Sequence, residues 1–258
     1  MTATEYSAPE VIGTPYWVIV PAAGSGKRMG ADKPKQYLPL NGKPLIAHTL
    51  ENILSWPGLA GIIVAIAADD QEFQTLTQAR DAKIQIVIGG KERADSVLAG
   101  LDYLIGKVPP ETPILVHDAA RPLVSVSDIQ KLLNADPIAL LAQPASDTVK
   151  QAGQQIGNKG SGQGKVLVSQ TLPREQIWLA QTPQKAPLQL LHECLRQGLT
   201  QTPQAITDEA SALELAGYQP ELVAACRSNF KVTHPADLIL AEALLRHPSE
   251  QFQTGTPS

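Results

Sequence analysis

Short apolar segments alternate with longer segments of helical period along the first half of the chain. The apolar segments carry Val, Ile and Leu on both faces, which is typical of strands covered on both sides of a parallel sheet. They predict strands over 17–22, 61–67, 83–88, 114–117 and 138–142. The intervening segments predict helices over 44–55, 69–80, 93–105 and 127–135, the last beginning at Ser127. This alternation indicates an α/β fold with a doubly wound, mostly parallel, Rossmann-like sheet.

The alternation stops after residue 143. Residues 147–169 hold five glycines between two short β-like pieces, a pattern that predicts a protruding β-hairpin arm over about 146–175. A hairpin with few apolar residues does not stand alone in water, so we expect the arm to lie against another surface, and a second subunit is the simplest candidate. The remaining pattern predicts strands over 177–181 and 222–225 and helices over 187–197, 208–216 and 235–245.

Composition and charge narrow the class of protein. The chain has 258 residues, of which 43% are apolar and 18% charged, and a net charge of −4. Its acidic balance argues against a nucleic-acid partner, and no apolar run approaches the roughly 18 residues that span a bilayer. We expect a disordered leader over 1–15, one domain over 16–247 and a flexible tail over 248–258. The leader has no secretory pattern and is short for a full transit peptide, so we expect a bacterial cytoplasm, with a plastid stroma as the alternative.

The first predicted strand is followed by a glycine-rich turn and four cationic side chains. Ala22 and Ala23 precede Gly24-Ser25-Gly26, and Lys27, Arg28, Lys33 and Lys35 follow. Small residues let a backbone approach phosphates closely, and the cations complement their charge. The segment is not a P-loop, because no Gly-Lys-Ser/Thr follows a glycine after four spacer residues. It is not a dinucleotide fingerprint either, because Lys33-Pro34-Lys35 interrupts any helix here. A plain turn with solvated lysines is the alternative.

Two later strand ends carry candidate ligand-binding residues, and such ends are where ligands bind in doubly wound sheets. Gly89-Gly90 would allow a flat ligand to approach, with Ser96 on the next helix within reach of a base edge. Asp118, followed by Ala119 and Arg121, is a candidate Mg²⁺ ligand, because this ion takes one or two carboxylates besides phosphate oxygens. An Asp118–Arg121 ion pair is the structural alternative. We expect His117 to be a packed core histidine.

Further candidates lie in the second half of the chain, namely Thr148, Arg174, Thr182, Thr207 and Lys231. Lys231 falls between a strand and a helix and can reach the same sheet edge. Two of the three residues Thr207, Asp208 and Ser211 are expected to cap a helix.

Seven motifs in this order resemble the 2-C-methyl-D-erythritol 4-phosphate cytidylyltransferase family. They are PAAGSGKRMG followed after three residues by PKQYLPL, then GGKERADSVLAGL, VHDAARP, DTVK, LAQTPQ, ITDEASALE and NFKVTHPADLILAE. They cover nearly everything from Trp17 to Leu245. The resemblance implies an enzyme that transfers CMP from CTP to methylerythritol phosphate with Mg²⁺ and releases pyrophosphate.

The resemblance also implies roles for individual residues. Arg28, Lys35 and Lys231 match the family's catalytic cations. The CTP site would comprise Ala22, Ala23, Gly24, Gly26, Gly90, Ser96, Asp118 and Ala119. The acceptor site would comprise Asp118, Arg121, Thr182, Thr207 and Lys231. Thr148 and Arg174 would arrive on the arm of a neighbouring subunit, so the resemblance implies a homodimer.

Two departures from the family pattern stand out. Lys91 occupies a position that is often acidic, and the arm tip over 153–164 is long and rich in glycine. A cytidylyltransferase for another polyol phosphate, such as ribitol 5-phosphate, is the alternative within this fold. A non-catalytic nucleotide-binding module or a Rossmann-type dinucleotide protein is the alternative of another class.

Overall fold

The computed structural model describes residues 13–24, 33–153 and 165–246. The expectations for most of the leader, for Gly26 and Arg28, for nearly all of the arm tip and for the tail lie outside these ranges. The strands are β1 (Tyr16–Pro21), β2 (Pro39–Leu40), β3 (Lys43–Pro44), β4 (Leu59–Ile66), β5 (Ile84–Ile88), β6 (Pro113–Val116), β7 (Ala139–Pro144), β8 (Val149–Ala152), β9 (Val168–Leu172), β10 (Trp178–Pro187) and β11 (Glu221–Ala224). The helices are α1 (Leu45–Leu54), α2 (Arg93–Leu104), α3 (Val126–Asn134), α4 (Leu188–Gln201), α5 (Glu209–Leu215) and α6 (Pro235–Arg246).

Seven strands form a central sheet in the order β11-β7-β10-β6-β1-β4-β5. Neighbouring strands run parallel except at β10, which is antiparallel to both β6 and β7. Strands β8 and β9 pair with each other in a separate antiparallel sheet, as expected for the arm. The predicted α/β fold with a mostly parallel sheet is therefore confirmed.

Helices cover both faces of the sheet because the inner strands bury both sets of side chains. Val18 and Val20 of β1 pack in one apolar cluster, which includes residues of α1 and α3. Ile19, between them, packs on the other face with residues of α2 and α4. Each fully buried side chain of this size contributes roughly 1.5–3 kcal/mol relative to exposure, so a near-continuous apolar strand stabilises both layers at once.

The order of the strands reverses beside β1. The chain runs from β1 to β4 and β5 on one side, then continues on the other side of β1 with β6. In open α/β sheets, ligands bind outside the carboxyl ends of the strands at such a reversal. The fold thus directs attention to the residues that follow β1, β5 and β6.

A third apolar cluster brings the end of the chain to this edge. Leu40 and Leu45 pack there with Ala120, Val232 and Ala241, the last of which lies on α6. The N–H of Val232 also donates to the carbonyl of Ala120, at 2.9 Å. Lys231 is held beside the end of β6 in this way. None of the helices in the described ranges is long and apolar enough to cross a membrane.

The predicted helix over 69–80 is wrong. That segment forms two 3₁₀ turns, Phe73–Thr75 and Gln78–Arg80. Its apolar residues, Phe73, Leu76 and Ala79, recur every third position, which matches the 3.0-residue period of a 3₁₀ helix and not the α-helical period. Asp70 fixes the first turn, since its Oδ1 accepts the N–H groups of Glu72 and Phe73, both at 3.0 Å.

Several other boundaries also differ from the prediction, and two of them bear on the capping and site residues. Helix α3 begins one residue early, because Ser125 and not Ser127 caps it by accepting the N–H of Asp128 at 3.0 Å. The strand predicted over 177–181 continues through Pro187, which places Thr182 inside β10 and not after a strand. The expected cap of α5 is correct: Asp208 accepts the N–H of Ser211, and the Ser211 hydroxyl accepts the N–H of Asp208.

Candidate active site

A cavity of about 770 Å³ opens at the carboxyl ends of β1, β5 and β6. This is a common size for a small-molecule site. Nine of the predicted residues line it, namely Ala22, Ala23, Gly24, Lys35, Gly90, Ser96, Asp118, Ala119 and Lys231. The sequence therefore located the pocket, although its residues come from five separate segments.

The two glycines after β5 allow the chain to pass close to its neighbours. A Cβ atom on Gly89 would stand 2.7 Å from the Cβ of Ala23 and the Oγ of Ser96. A Cβ atom on Gly90 would stand 2.2 Å from the Cβ of Asp95, whose carboxylate accepts the N–H of Glu92 at the start of α2. Larger residues would push apart the wall that Ala23 and Ser96 share.

Asp118 is the electrostatic centre of the pocket and is buried among cations. Its Oδ1 lies 3.0 Å from Nε of Arg93, and its Oδ2 lies 2.8 Å from Nζ of Lys231 and 3.6 Å from Nε of Arg121. Burial by itself would raise the pKa of Asp118, but the three cations outweigh burial and hold this pKa far below its usual range. Asp118 is therefore an anion whose charge orients Lys231 and Arg93.

This environment does not fit the predicted role of Asp118 as a magnesium ligand. Three cationic side chains surround the carboxylate, and a divalent cation at the same oxygens would face their repulsion. Within residues 13–24, 33–153 and 165–246, no group of three or more His, Cys, Asp or Glu side chains is arranged to hold a metal ion. The Asp118–Arg121 ion pair is present, as one part of the larger network.

The sequence analysis missed Arg93, which lines the cavity, and Glu209, which binds Arg93. The Arg93 guanidinium donates to both carboxylate oxygens of Glu209, at 2.6 and 3.0 Å, and to Asp118. Burial alone would lower the pKa of Arg93, yet the two carboxylates raise it. The start of α2, the end of β6 and the start of α5 are joined through this side chain. No local pattern signals the contact, because Arg93 and Glu209 are 116 positions apart.

Arg121 and Thr182 lie behind Asp118 and do not line the cavity. The Thr182 hydroxyl accepts the N–H of Asp118 at 3.0 Å. Arg121 donates through Nη1 to the carbonyl of Asn229 at 2.6 Å. The Asn229 side chain in turn donates to the carbonyl of Thr182 at 2.9 Å. Both predicted acceptor residues thus support Asp118 and the 229–232 segment from within the protein.

Three other predicted residues lie away from the cavity lining. Thr148 and Arg174 are exposed on or beside the arm, and Arg174 donates to the carbonyl of Ser146 at 3.1 Å. Thr207 is exposed just before α5, where its N–H donates to the Ser211 hydroxyl. Gly26 and Arg28 lie outside the described residues. Lys91, the departure from the family pattern, lines the cavity.

His117 is fully buried, as predicted for a core histidine. Its Nε2 lies 2.9 Å from the carbonyl oxygen of Arg121, which can only accept, so Nε2 carries the proton. Its Nδ1 then accepts from the Thr182 hydroxyl at 3.1 Å. The ring is neutral in this network, and burial lowers the pKa of His117 to about 4.

We predict that this histidine makes stability depend on pH. Unfolded His117 binds a proton near pH 6.5, whereas the folded protein resists protonation until about pH 4. Stability is therefore lost as the pH falls through this window, by about 3 kcal/mol from this group. Urea unfolding at pH 6.5 and at pH 4 should show that loss in the wild type and a correspondingly smaller one in His117→Gln. Equal losses in the two proteins would contradict the assignment.

Small residues, a glycine pair and clustered cations at the reversal point of a doubly wound sheet are typical of a nucleotide-binding protein. Comparisons with known proteins identify the family. The family model for 2-C-methyl-D-erythritol 4-phosphate cytidylyltransferase matches residues 16–247. The chain therefore belongs to the 2-C-methyl-D-erythritol 4-phosphate cytidylyltransferase family, and it is an enzyme, as its motifs predicted.

Individual relatives agree with the family match. The cytidylyltransferase of that name from Shewanella oneidensis is 48% identical over 231 residues, which cover 88% of this chain and 87% of that protein. The one from Haemophilus influenzae strain PittEE is 47% identical over 229 residues, covering 88% and 95%. The crystal structure of the Francisella tularensis enzyme matches with a TM-score of 0.73 at 35% identity, over 89% of this chain and 99% of that one.

Proposed function

We propose that this cavity transfers CMP from CTP to 2-C-methyl-D-erythritol 4-phosphate, within isoprenoid biosynthesis. The observation that carries the proposal is the pocket itself, in which Lys35 and Lys231 line the same cavity as the small residues at the end of β1. Fixed positive charge beside a backbone that can be approached closely suits a triphosphate. The bacterial origin of the relatives supports a bacterial cytoplasm as the place of the reaction.

The chemistry is a substitution at the α-phosphorus of CTP. A phosphate oxygen of the acceptor attacks and forms the new P–O bond, while the bond to the bridging oxygen breaks and pyrophosphate leaves with that electron pair. No side chain has to remove a proton, because a phosphate monoester with a second pKa near 6 is largely ionised at pH 7. The protein contributes positioning and stabilisation of the charge that develops on the α-phosphate oxygens.

The residues divide by substrate in this proposal. Ala22, Ala23, Gly24, Gly90, Ser96 and Ala119 hold the cytidine and its phosphates, with Gly26 from the same loop. Lys35, Arg28 and Lys231 stabilise the reacting phosphates. Asp118 orients Lys231 on the acceptor side. Arg121 and Thr182 hold Asp118 in place, while Thr207 extends the acceptor side near α5.

We propose that Mg²⁺ arrives on the phosphate oxygens of CTP and not on Asp118. The cations around that carboxylate support this assignment. When bound, Mg²⁺ would neutralise triphosphate charge and would make pyrophosphate a better leaving group.

We further propose a homodimer in which the arm completes the partner's pocket. Strands β8 and β9 pair with each other and with no other strand in the described ranges. Val166, Leu167 and Val168, which precede or begin β9, are 59%, 50% and 63% exposed. Such an apolar run on a thin hairpin suits burial against another subunit. Thr148 and Arg174 would then reach the acceptor in the neighbouring site.

The function is tested by pyrophosphate release from CTP and Mg²⁺ with separate acceptors. We expect turnover with methylerythritol phosphate and only background release with ribitol 5-phosphate. Turnover restricted to ribitol 5-phosphate would contradict the proposed acceptor. Binding of CTP without turnover on either acceptor would contradict catalysis and favour a nucleotide-binding module.

A further inference from the structure

Lys35 stands on a very short element whose position needs an explanation. It begins a single 3₁₀ turn, Lys35–Tyr37, after an extended Pro34. Three residues of such a turn supply few backbone hydrogen bonds, here Tyr37 N–H to the Pro34 carbonyl and Leu38 N–H to the Lys35 carbonyl. A side chain that has to meet a phosphate requires a firmer anchor than this.

The next two residues attach the turn to two neighbouring strands. Gln36 is buried and donates through Nε2 to the carbonyl of Ala22, directly after β1, at 2.8 Å. Tyr37 is also buried and donates through its hydroxyl to Oδ2 of Asp70, beyond the end of β4, at 2.6 Å. β1 and β4 are adjacent parallel strands, so the turn is tied to both carboxyl ends.

Asp70 is itself fixed, which makes the second attachment rigid. Its Oδ1 accepts the N–H groups of Glu72 and Phe73, both at 3.0 Å, while Oδ2 accepts from Tyr37. Burial, followed by the bond to Asp70, raises the pKa of the Tyr37 phenol, so the phenol keeps the proton that it donates. The first 3₁₀ turn after β4 thus supports the neighbouring loop.

We propose that Gln36 and the Tyr37–Asp70 pair are positioning residues that hold Lys35 in register with the nucleotide phosphates. The inference rests on the proposed function, in which Lys35 stabilises the α-phosphate. Gln36 fixes the turn against Ala22, which lines the same cavity, and Tyr37 fixes it against β4. Loss of either tie would remove one of the two side-chain anchors of the turn that carries Lys35. A displacement near 1 Å can cost as much as about 10²-fold in rate.

The test is Tyr37→Phe, which keeps the ring and removes only the hydroxyl. We expect kcat to fall about 10-fold, while KM for CTP changes less than about twofold, because the lost positioning acts on the transition state. Tyr16→Phe is the matched control. Tyr16 is also buried and donates its hydroxyl to the carbonyl of Pro57, at the opposite end of β1. Tyr16→Phe should keep the wild-type kcat, although it should lose about as much thermal stability as Tyr37→Phe loses.

A double-mutant cycle separates positioning from general damage. If Tyr37 acts through Lys35, adding Tyr37→Phe to Lys35→Ala should lower kcat no further. If Tyr37→Phe lowers kcat by the same factor in the wild type and in Lys35→Ala, the inference is overturned. It is also overturned if Tyr37→Phe leaves kcat unchanged while Lys35→Ala lowers it. Full turnover in Lys35→Ala would instead contradict the role of Lys35, and the positioning role would fall with it.

Discussion

Replacing Lys35 by alanine should lower kcat at least about 10²-fold, the loss typical when one preorganised charge at a transition state is removed. Lys35 lines the cavity at the end of β1, where the proposed chemistry places the α-phosphate of CTP. Charge builds on the equatorial phosphate oxygens only as the transition state is approached. The effect should therefore appear mainly in kcat, measured as pyrophosphate release at saturating CTP and acceptor.

Lys33→Ala is the matched control for Lys35→Ala. Lys33 lies two positions earlier and is paired at 3.0 Å with Glu72, and its side chain is 62% exposed. Its removal takes the same charge from the same loop without taking a group from the cavity lining. We expect a change of at most a few-fold, since exposed charges act weakly through water. Full turnover in Lys35→Ala, or equal losses in both variants, would contradict the catalytic role of Lys35.

The strand-end residues could be predicted because two local signals coincide at them. Each inner strand is apolar on both faces, so its end is visible in the sequence, and small or charged residues follow it directly. Ala22, Gly90 and Asp118 all meet this description, and all three line the cavity. The sheet does the rest, because parallel strands bring their carboxyl ends to one edge. Residues that are far apart in sequence but follow neighbouring strands are therefore brought together in one site.

Polar residues in the middle of β10 show where local reasoning fails. Gln184 and Lys185 fall between the strand predicted over 177–181 and the helix predicted over 187–197, yet both are buried in the sheet. Gln184 accepts the N–H of Ala210 at the start of α5, and Lys185 donates to the carbonyls of Leu133 and Ala135 at the end of α3. Their partners are far away in sequence, so no window of the chain shows that these groups are satisfied.

Lys185 is a second case in which distant partners decide the environment of a side chain. Burial lowers its pKa to about 8, although Glu221 and Asp136 oppose this shift. Its two carbonyl acceptors stabilise the charged form at the negative end of the α3 dipole. The sequence analysis assigns no role to Lys185, whereas in the fold its ammonium caps the carboxyl end of α3. Arg93 was missed for the same reason: its carboxylate partners come from distant segments.

The proposed crossing arm makes a prediction about mixtures of inactive proteins. Arg174 does not line the cavity of its own chain, as it lies beside the exposed arm and bonds to Ser146. If it serves the partner's pocket, Arg174→Ala should lose activity, as Lys35→Ala does. A dimer with one chain of each kind would then have one site lacking both residues and one intact site. Random exchange makes half of the dimers mixed, so about a quarter of the wild-type activity should return.

A second mixture controls for exchange itself. Lys35 and Lys231 line the same cavity of one chain, so mixing Lys35→Ala with Lys231→Ala leaves every site with one defect. That mixture should regain nothing, whereas Arg174→Ala with Lys35→Ala should regain about a quarter of the wild-type rate. Subunit exchange can be followed by mass with one isotope-labelled chain. Complete exchange without recovery would contradict the crossing arm. Recovery in both mixtures would mean that Lys35 and Lys231 of one chain serve different active sites. That result would contradict the assignment of both lysines to one cavity.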